Sequence, residues 1–313
     1  MATKPVRLPA SARWSKPGRQ VASKGAILQP SAAVRAWFQA ELEKLTESMT
    51  RETTRELSAL FRSPAAASMA MDASLFERIM AEEGISAKAK KKLEDTTGSI
   101  VSQSRILLAA LAARFGAQFL KRAKELAEQM VKKQSRAGAA ALKASLKKAT
   151  GARVRLANSR KVEEIAKASA LEAANLIQRV PQQYLSSVAD ATMRSITSGK
   201  GSSELLAELA KQNVKVKNWA WNTARDQSNK TFANINRERM QDIGIDEFEW
   251  VHSGGSNQPR EYHMRRAPLG LNGGIFKISA PPVIDLRTGE RGLPGTAVNC
   301  NCKMRPILRF NKA

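Results

Sequence analysis

The stretch IDEFEWVHSGGSNQPREYHMRRAPLGLNGGIF, residues 245–276, with GLPGTAVNCNCKMRPIL, residues 292–308, decides how the chain divides. Before Gly244 apolar residues recur every three or four positions. After it Phe248 and Trp250 alternate with Glu249 and Val251, and Ile275-Phe276-Lys277-Ile278 repeats the short extended pattern. Glycines at 254, 255, 270, 273, 274, 289, 292 and 295, with Pro281, Pro282 and Pro294, make the remainder turns and loops. The same stretch holds both histidines and both cysteines of the 313 residues: His252, His263, Cys300 and Cys302.

Working outward, the upstream pattern is helical. Pro30-Ser31 opens a helix carrying Val34, Phe38, Leu42, Leu45 and Met49, which Ser63-Pro64 ends. Ala65–Ser74 reads as a linker or a weak helical continuation and Leu75–Glu83 as a short helix stopped near Gly84. Leu108, Leu111, Phe115, Phe119, Ala123, Leu126 and Met130 form one stripe of a helix that runs from about Ser102 past Lys133. Further helices are predicted over Val162–Val180, broken at Pro181, then through Tyr184 to Ile196, Leu205–Ala210 and Trp219–Gln241. The predicted fold class is mainly α: an extended helical region followed by a small loop-rich α+β C-terminal domain. Residues 1–31 are expected to be a disordered basic arm, 32–217 the helical region and 218–313 the α+β domain.

Charge narrows the class of partner. The chain has 52 Lys and Arg against 28 Asp and Glu, a net +24 with pI near 10.5, which implies a polyanion. Residues 1–31 hold six cations, among them Lys4, Arg7 and Lys24, and no acid. Residues 121–161 hold thirteen Lys and Arg against Glu125 and Glu128 only, whereas 241–313 is nearly balanced. A segment so charged repels itself, so Lys121, Arg122, Lys124, Lys132, Lys133, Arg136, Lys143, Lys147, Lys148, Arg153 and Arg155 are the predicted contacts to nucleic acid. Without aromatics between 121 and 161, binding is expected to follow the double-stranded backbone independently of sequence. No membrane partner is expected, because the most apolar run, Ile106–Leu120, is short and carries Arg114.

Two readings fit the histidines and cysteines. Two thiolates and two imidazoles suffice for one tetrahedral zinc at His263, Cys300, Cys302 and His252, and a loop-rich module gains from such a staple. The Cys-x-Cys spacing and the eleven residues between the histidines fit the usual zinc spacings poorly, so a metal-free hydrogen-bonded cluster is the other reading. A Cys300–Cys302 disulfide would close a strained ring. Catalysis is not expected. His263 with a Cys could serve as base and nucleophile, but no Ser-His-Asp order, His-Glu-x-x-His helix or acidic metal cluster accompanies them. Ser198-Gly199-Lys200-Gly201 is no phosphate loop either: a Walker motif needs Gly where Arg194 stands.

The order Arg225, Asn229, Glu249-Trp250-Val251, Pro259-Arg260-x-x-His263, Gly270, Phe276, Pro294-Gly295 and Asn299-Cys300-Asn301-Cys302 before Pro306 resembles the C-terminal domain of the phage Mu F-like head morphogenesis proteins. The likeness covers about the last ninety residues. It departs from the family at Asn301, where Arg is common, and at the Ser-Gly-Gly-Ser-Asn loop. The resemblance implies a minor capsid protein in the capsid interior near the portal vertex, made in the host cytoplasm. Its partners would be the portal protein, a major capsid or scaffold protein, and packaged double-stranded DNA. It also implies structural roles for Arg225, Asn229, Trp250 and Arg260. A zinc-containing, sequence-independent nucleic-acid-binding protein unrelated to virions is the alternative.

Overall fold

The computed structural model describes residues 20–62, 100–198, 201–254 and 260–311. Expectations for residues 1–19, for the linker and short helix between 65 and 83, and for Pro259 lie outside these. Five long helices precede most of the sheet: α1 (Ala32–Arg62), α2 (Ile100–Thr150), α3 (Arg160–Gln178), α4 (Val180–Thr197) and α5 (Gly201–Asp242). The strands are β1 (Gln20–Lys24), β2 (Glu247–Val251), β3 (Ile275–Lys277), β4 (Val283–Asp285), β5 (Glu290–Arg291) and β6 (Lys303–Asn311), with a single turn of helix, α6 (Glu261–Met264), between β2 and β3. The fold is mainly α with a small α+β C-terminal part, as the change of period at Gly244 predicts. The chain forms two compact units.

One unit comprises residues 38–127 and 171–223 and, as far as it is described, is all helix. Phe38, Leu42, Met49 and Leu57 of α1 are fully buried, as are Phe115 and Phe119 of α2. Each such side chain contributes roughly 1.5–3 kcal/mol by leaving water. Buried hydroxyls bond back along their own helices, Thr46 to the Leu42 carbonyl at 2.9 Å and Thr192 to that of Val188 at 2.8 Å. By length and composition α2 alone among the described helices is long and apolar enough to cross a membrane, yet Leu108, Leu111, Phe115 and Phe119 on it are buried within the protein. The predicted break at Pro181 falls where α3 gives way to α4. Proline sits in the first turn of α4, where a missing N–H leaves no hydrogen bond unmade.

The other unit joins residues 1–37, 128–170 and 224–313. Its sheet has the order β1-β6-β2-β3, every pair antiparallel, and β4 and β5 form a separate hairpin. Two expectations are corrected here. The arm is ordered from Gln20: β1 pairs with β6 from Gln20↔Asn311 to Lys24↔Ile307, and Leu28, bridged to Met304, is buried. Lys24, taken for a free cation, pairs with Glu249 at 3.1 Å, and Arg305 meets the same carboxylate at 2.9 Å. Backbone amides and carbonyls left over on the edge of β6 attract any chain that offers an extended partner, which composition alone does not reveal.

The second correction concerns the boundary at 217/218, which falls inside α5, and the Ala/Lys-rich segment. Leu142 and Leu146 of α2 pack into one core with Phe232, Met240, Phe248, Trp250, Cys300 and Cys302. Small residues let the helices approach: a Cβ on Gly138 would lie 2.6 Å from Asn236 Nδ2 of α5. Arg239 of α5, only 3% exposed, donates to the Ser135 carbonyl at 2.8 Å, to Ser135 Oγ at 2.7 Å and to Asn158 Oδ1 at 3.1 Å. The segment therefore supplies apolar and polar anchors to the same unit as the Cys/His stretch.

Candidate metal centre and cationic face

The hairpin β4–β5 and the loop before β6 bring the sulfurs and imidazoles together. Asn229 on α5 donates to the Cys300 carbonyl at 2.9 Å and to Asn301 Oδ1 at 3.0 Å, while Asp226, one turn earlier, accepts from the Asn299 amide at 3.0 Å. Asn299 has φ 57°, a left-handed conformation that asparagine tolerates better than most residues. Arg260 clamps the same loop, both terminal nitrogens 3.2 Å from the Val298 carbonyl. Trp250, fully buried, sets its ring edge-on to His263 with centroids 5.1 Å apart.

Held this way, His263, Cys300 and Cys302 are buried with their ligand atoms all within 4.8 Å of one another. His263 Nδ1 lies 3.7 Å from Cys300 Sγ and 3.8 Å from Cys302 Sγ, and His252 Nδ1 reaches Cys302 Sγ at 3.6 Å. A tetrahedral ion with bonds of about 2.3 Å to sulfur and about 2.0–2.1 Å to nitrogen sets neighbouring S and N atoms roughly 3.5 Å apart. The other ring nitrogen of His263, Nε2, lies 2.8 Å from the Ile284 carbonyl, an acceptor only. Nε2 therefore carries the proton and Nδ1 presents its lone pair to the sulfurs, the arrangement that orients a metal-bound imidazole.

The geometry admits both readings: His263 Nδ1 can accept from Cys300 and His252 Nδ1 from Cys302, and a cation could equally satisfy His263, Cys300 and Cys302 together. The thiols also share protons. A hydrogen bond from Cys302 holds Cys300 well below the usual thiol range, at about 4, against the opposing effect of burial. The same pairing, then burial, pushes Cys302 up. The group His263, Cys300 and Cys302 fits a metal ion, with His252 beside it, half-buried.

The predicted nucleic-acid contacts lie on α2 and the loop after it. Lys121, Arg122 and Lys124 belong to the all-helical unit, where Arg122 is half-buried and bonded to Glu125 and Glu41. Lys132, Lys133, Arg136, Lys143, Lys147, Lys148, Arg153 and Arg155 belong to the other unit and are exposed. Lys133 sits over the Trp37 ring at 4.7 Å. Lys132, Arg136, Lys143 and Lys147, spaced four, seven and four, share one helix face about 22 Å long. None of these four forms an ion pair with a described acid. Arg225 lies in the same unit as the candidate metal group; burial, then repulsion from Arg35, lowers its pKa. Sequence reasoning missed Asp226 and the Ile284 carbonyl. The first lies three residues before Asn229 on the same helix face, which is a readable signal; a backbone carbonyl leaves none.

The chain is 26% identical over 280 residues to an uncharacterized protein of Haemophilus influenzae, a match covering 88% of this chain. It spans about half, 54%, of the length of that relative. No protein-family model and no solved structure matches.

Proposed function

We propose that the chain is a structural protein of a phage head, a portal-associated minor capsid component that contacts packaged double-stranded DNA and acts in head assembly, genome packaging or ejection. The observation that carries this reading is the exposed face of Lys132, Arg136, Lys143 and Lys147, four cations on one side of α2 that form no ion pair with a described acid and have Glu128 as the one acid within a turn of them on that helix. Such a face suits a phosphate backbone and reads no base. The order of motifs from Arg225 to Cys302 resembling the Mu F-like domain supports the virion setting. In this reading the metal is zinc, held by His263, Cys300, Cys302 and His252. It supplies folding free energy to a loop-rich module rather than chemistry, and Asn229, Trp250 and Arg260 serve the same end.

The experiment compares DNA binding by the full chain with that of a full chain carrying Gln at all four positions, across a salt series, and follows both into assembling heads. Each lost phosphate contact should flatten the dependence of log K on log salt by about 0.9. A variant that binds as tightly with an unchanged slope ends the DNA reading; a protein that binds DNA yet never enters heads favours the alternative of a non-specific nucleic-acid-binding protein unrelated to virions.

A further inference from the structure

A cavity of about 600 Å³ borders the candidate metal group, with Cys302 as part of its wall. Its size suits a small organic ligand. Arg35 of α1 and Lys303 of β6 line it, with Asn301 and Gln29 as further polar groups and Phe232 and Met304 as an apolar floor. No acid is among the described residues lining it. Arg35 makes no ion pair with a described residue, and Lys303 Nζ meets only a neutral acceptor, Gln29 Oε1, at 2.8 Å. Arg225 stands near enough for its guanidinium and that of Arg35 to repel. The nearby carboxylate, Asp226, is already engaged by Lys230 at 2.9 Å and by the Asn299 amide. Two cations, Arg35 and Lys303, thus line the cavity with no ion pair to a described acid.

A phosphomonoester matches these features better than a carboxylate. It is close to dianionic at neutral pH and has three acceptor oxygens, and guanidinium binds two of them at once. The apolar floor and the amides accommodate an attached organic group. We propose that this cavity binds the phosphomonoester group of a nucleotide, with Arg35 and Lys303 on the phosphate oxygens. The group is that of a free mononucleotide or of a 5′-phosphorylated DNA end. The site is separate from the cationic face of α2 and does not depend on the function proposed above.

Calorimetric titration of the full chain tests it, using thymidine 5′-monophosphate, thymidine, and a short oligonucleotide with and without a 5′-phosphate. The monophosphate should bind and thymidine should not. Arg35→Gln and Lys303→Gln should each weaken binding at least tenfold, while a Lys143→Gln/Lys147→Gln chain binds as the unaltered one does. Both cavity side chains are half-buried; if one variant melts below the unaltered chain, the other carries the test. Binding of the monophosphate identifies a free nucleotide as the ligand. Binding of the phosphorylated oligonucleotide alone, above its unphosphorylated counterpart, identifies a DNA end. The proposal falls if neither phosphate binds at about millimolar concentration, or if the α2 variant loses binding while the cavity variants keep it, which would mark general attraction to a basic protein.

Discussion

His263 gives its Nε2 proton to the backbone carbonyl of Ile284 at 2.8 Å, so the hairpin β4–β5 decides which imidazole nitrogen faces Cys300 and Cys302. If a metal completes that group, chelation should lower the thermal midpoint of the unaltered chain. At free metal a thousand times Kd the stabilisation amounts to about 4 kcal/mol. Cys300→Ser or His263→Ala should melt near the chelated value and no longer respond to chelator. Because thiolate and lone-pair nitrogen are the ligands, acid should release the metal and alkali retain it. Melting curves with and without chelator, with metal measured on the same samples, decide the matter; identical curves and no bound metal leave the hydrogen-bonded cluster as the account.

Arg239 is the polar anchor between α5, α2 and the loop at Asn158. Arg239→Met keeps most of the volume and removes three donated hydrogen bonds, taking this donor from Ser135 Oγ and Asn158 Oδ1, while the Ser135 carbonyl keeps its place in the α2 ladder. A loss of roughly 2–4 kcal/mol is expected. Urea denaturation measures it; a change below about 0.5 kcal/mol would show the site to be as tolerant as open surface.

Asp285 closes the β4–β5 turn by accepting from the amides of Arg287, at 2.9 Å, and Thr288, at 3.4 Å. The Arg287 amide above all, outweighing a small opposing effect of desolvation, lowers its pKa. A carboxyl held lower in the folded chain stabilises it above the unfolded pKa, and that stability fades as pH falls through the folded value. Asp285→Asn should therefore cost stability near neutrality and little in acid, where the parent side chain is itself protonated. Melting midpoints of both chains across the acid range give the comparison; parallel curves would dismiss the turn as a source of pH dependence.

Much of this architecture was legible. The stripes through Phe38 and Leu42, and through Leu111, Phe115 and Phe119, appear as buried helix faces, and the alternation about Trp250 as β2. Four strands were not: β4 and β5 fall in the stretch read as turns and loops, and β1 and β6 were hidden for other reasons. β6 contains Pro306, which argues against a central strand, yet it lies between β1 and β2. The ring is tolerated because the Pro306 carbonyl, bonded to the Gly25 amide at 3.0 Å, faces the β1 side just where that pairing ends; the missing N–H faces the same way. β1 was hidden by its composition, since a strand that borrows its hydrogen bonds from a partner needs no periodicity of its own. At the candidate metal group His263, Cys300 and Cys302 were readable as types, with His252 beside them, whereas their convergence depends on backbone groups of Ile284 and Val298 that carry no residue signature. α5 runs unbroken where two helices were expected, because nothing between Ala210 and Trp219 supplies a stop.

The pairing of Gln20 with Asn311 sets an order of events. A sheet whose edge strand precedes its central strand by some 290 positions has high contact order and must close a long loop before its ladder repays the entropy. The helical unit draws on residues 38–127 and 171–223, so it can settle while the ribosome is still at work. The unit with the Cys/His group cannot, and β1 must wait for β6 to emerge. A fragment starting at Trp219 would expose the bare flank of β6, and its fate would be association with other chains rather than independent folding.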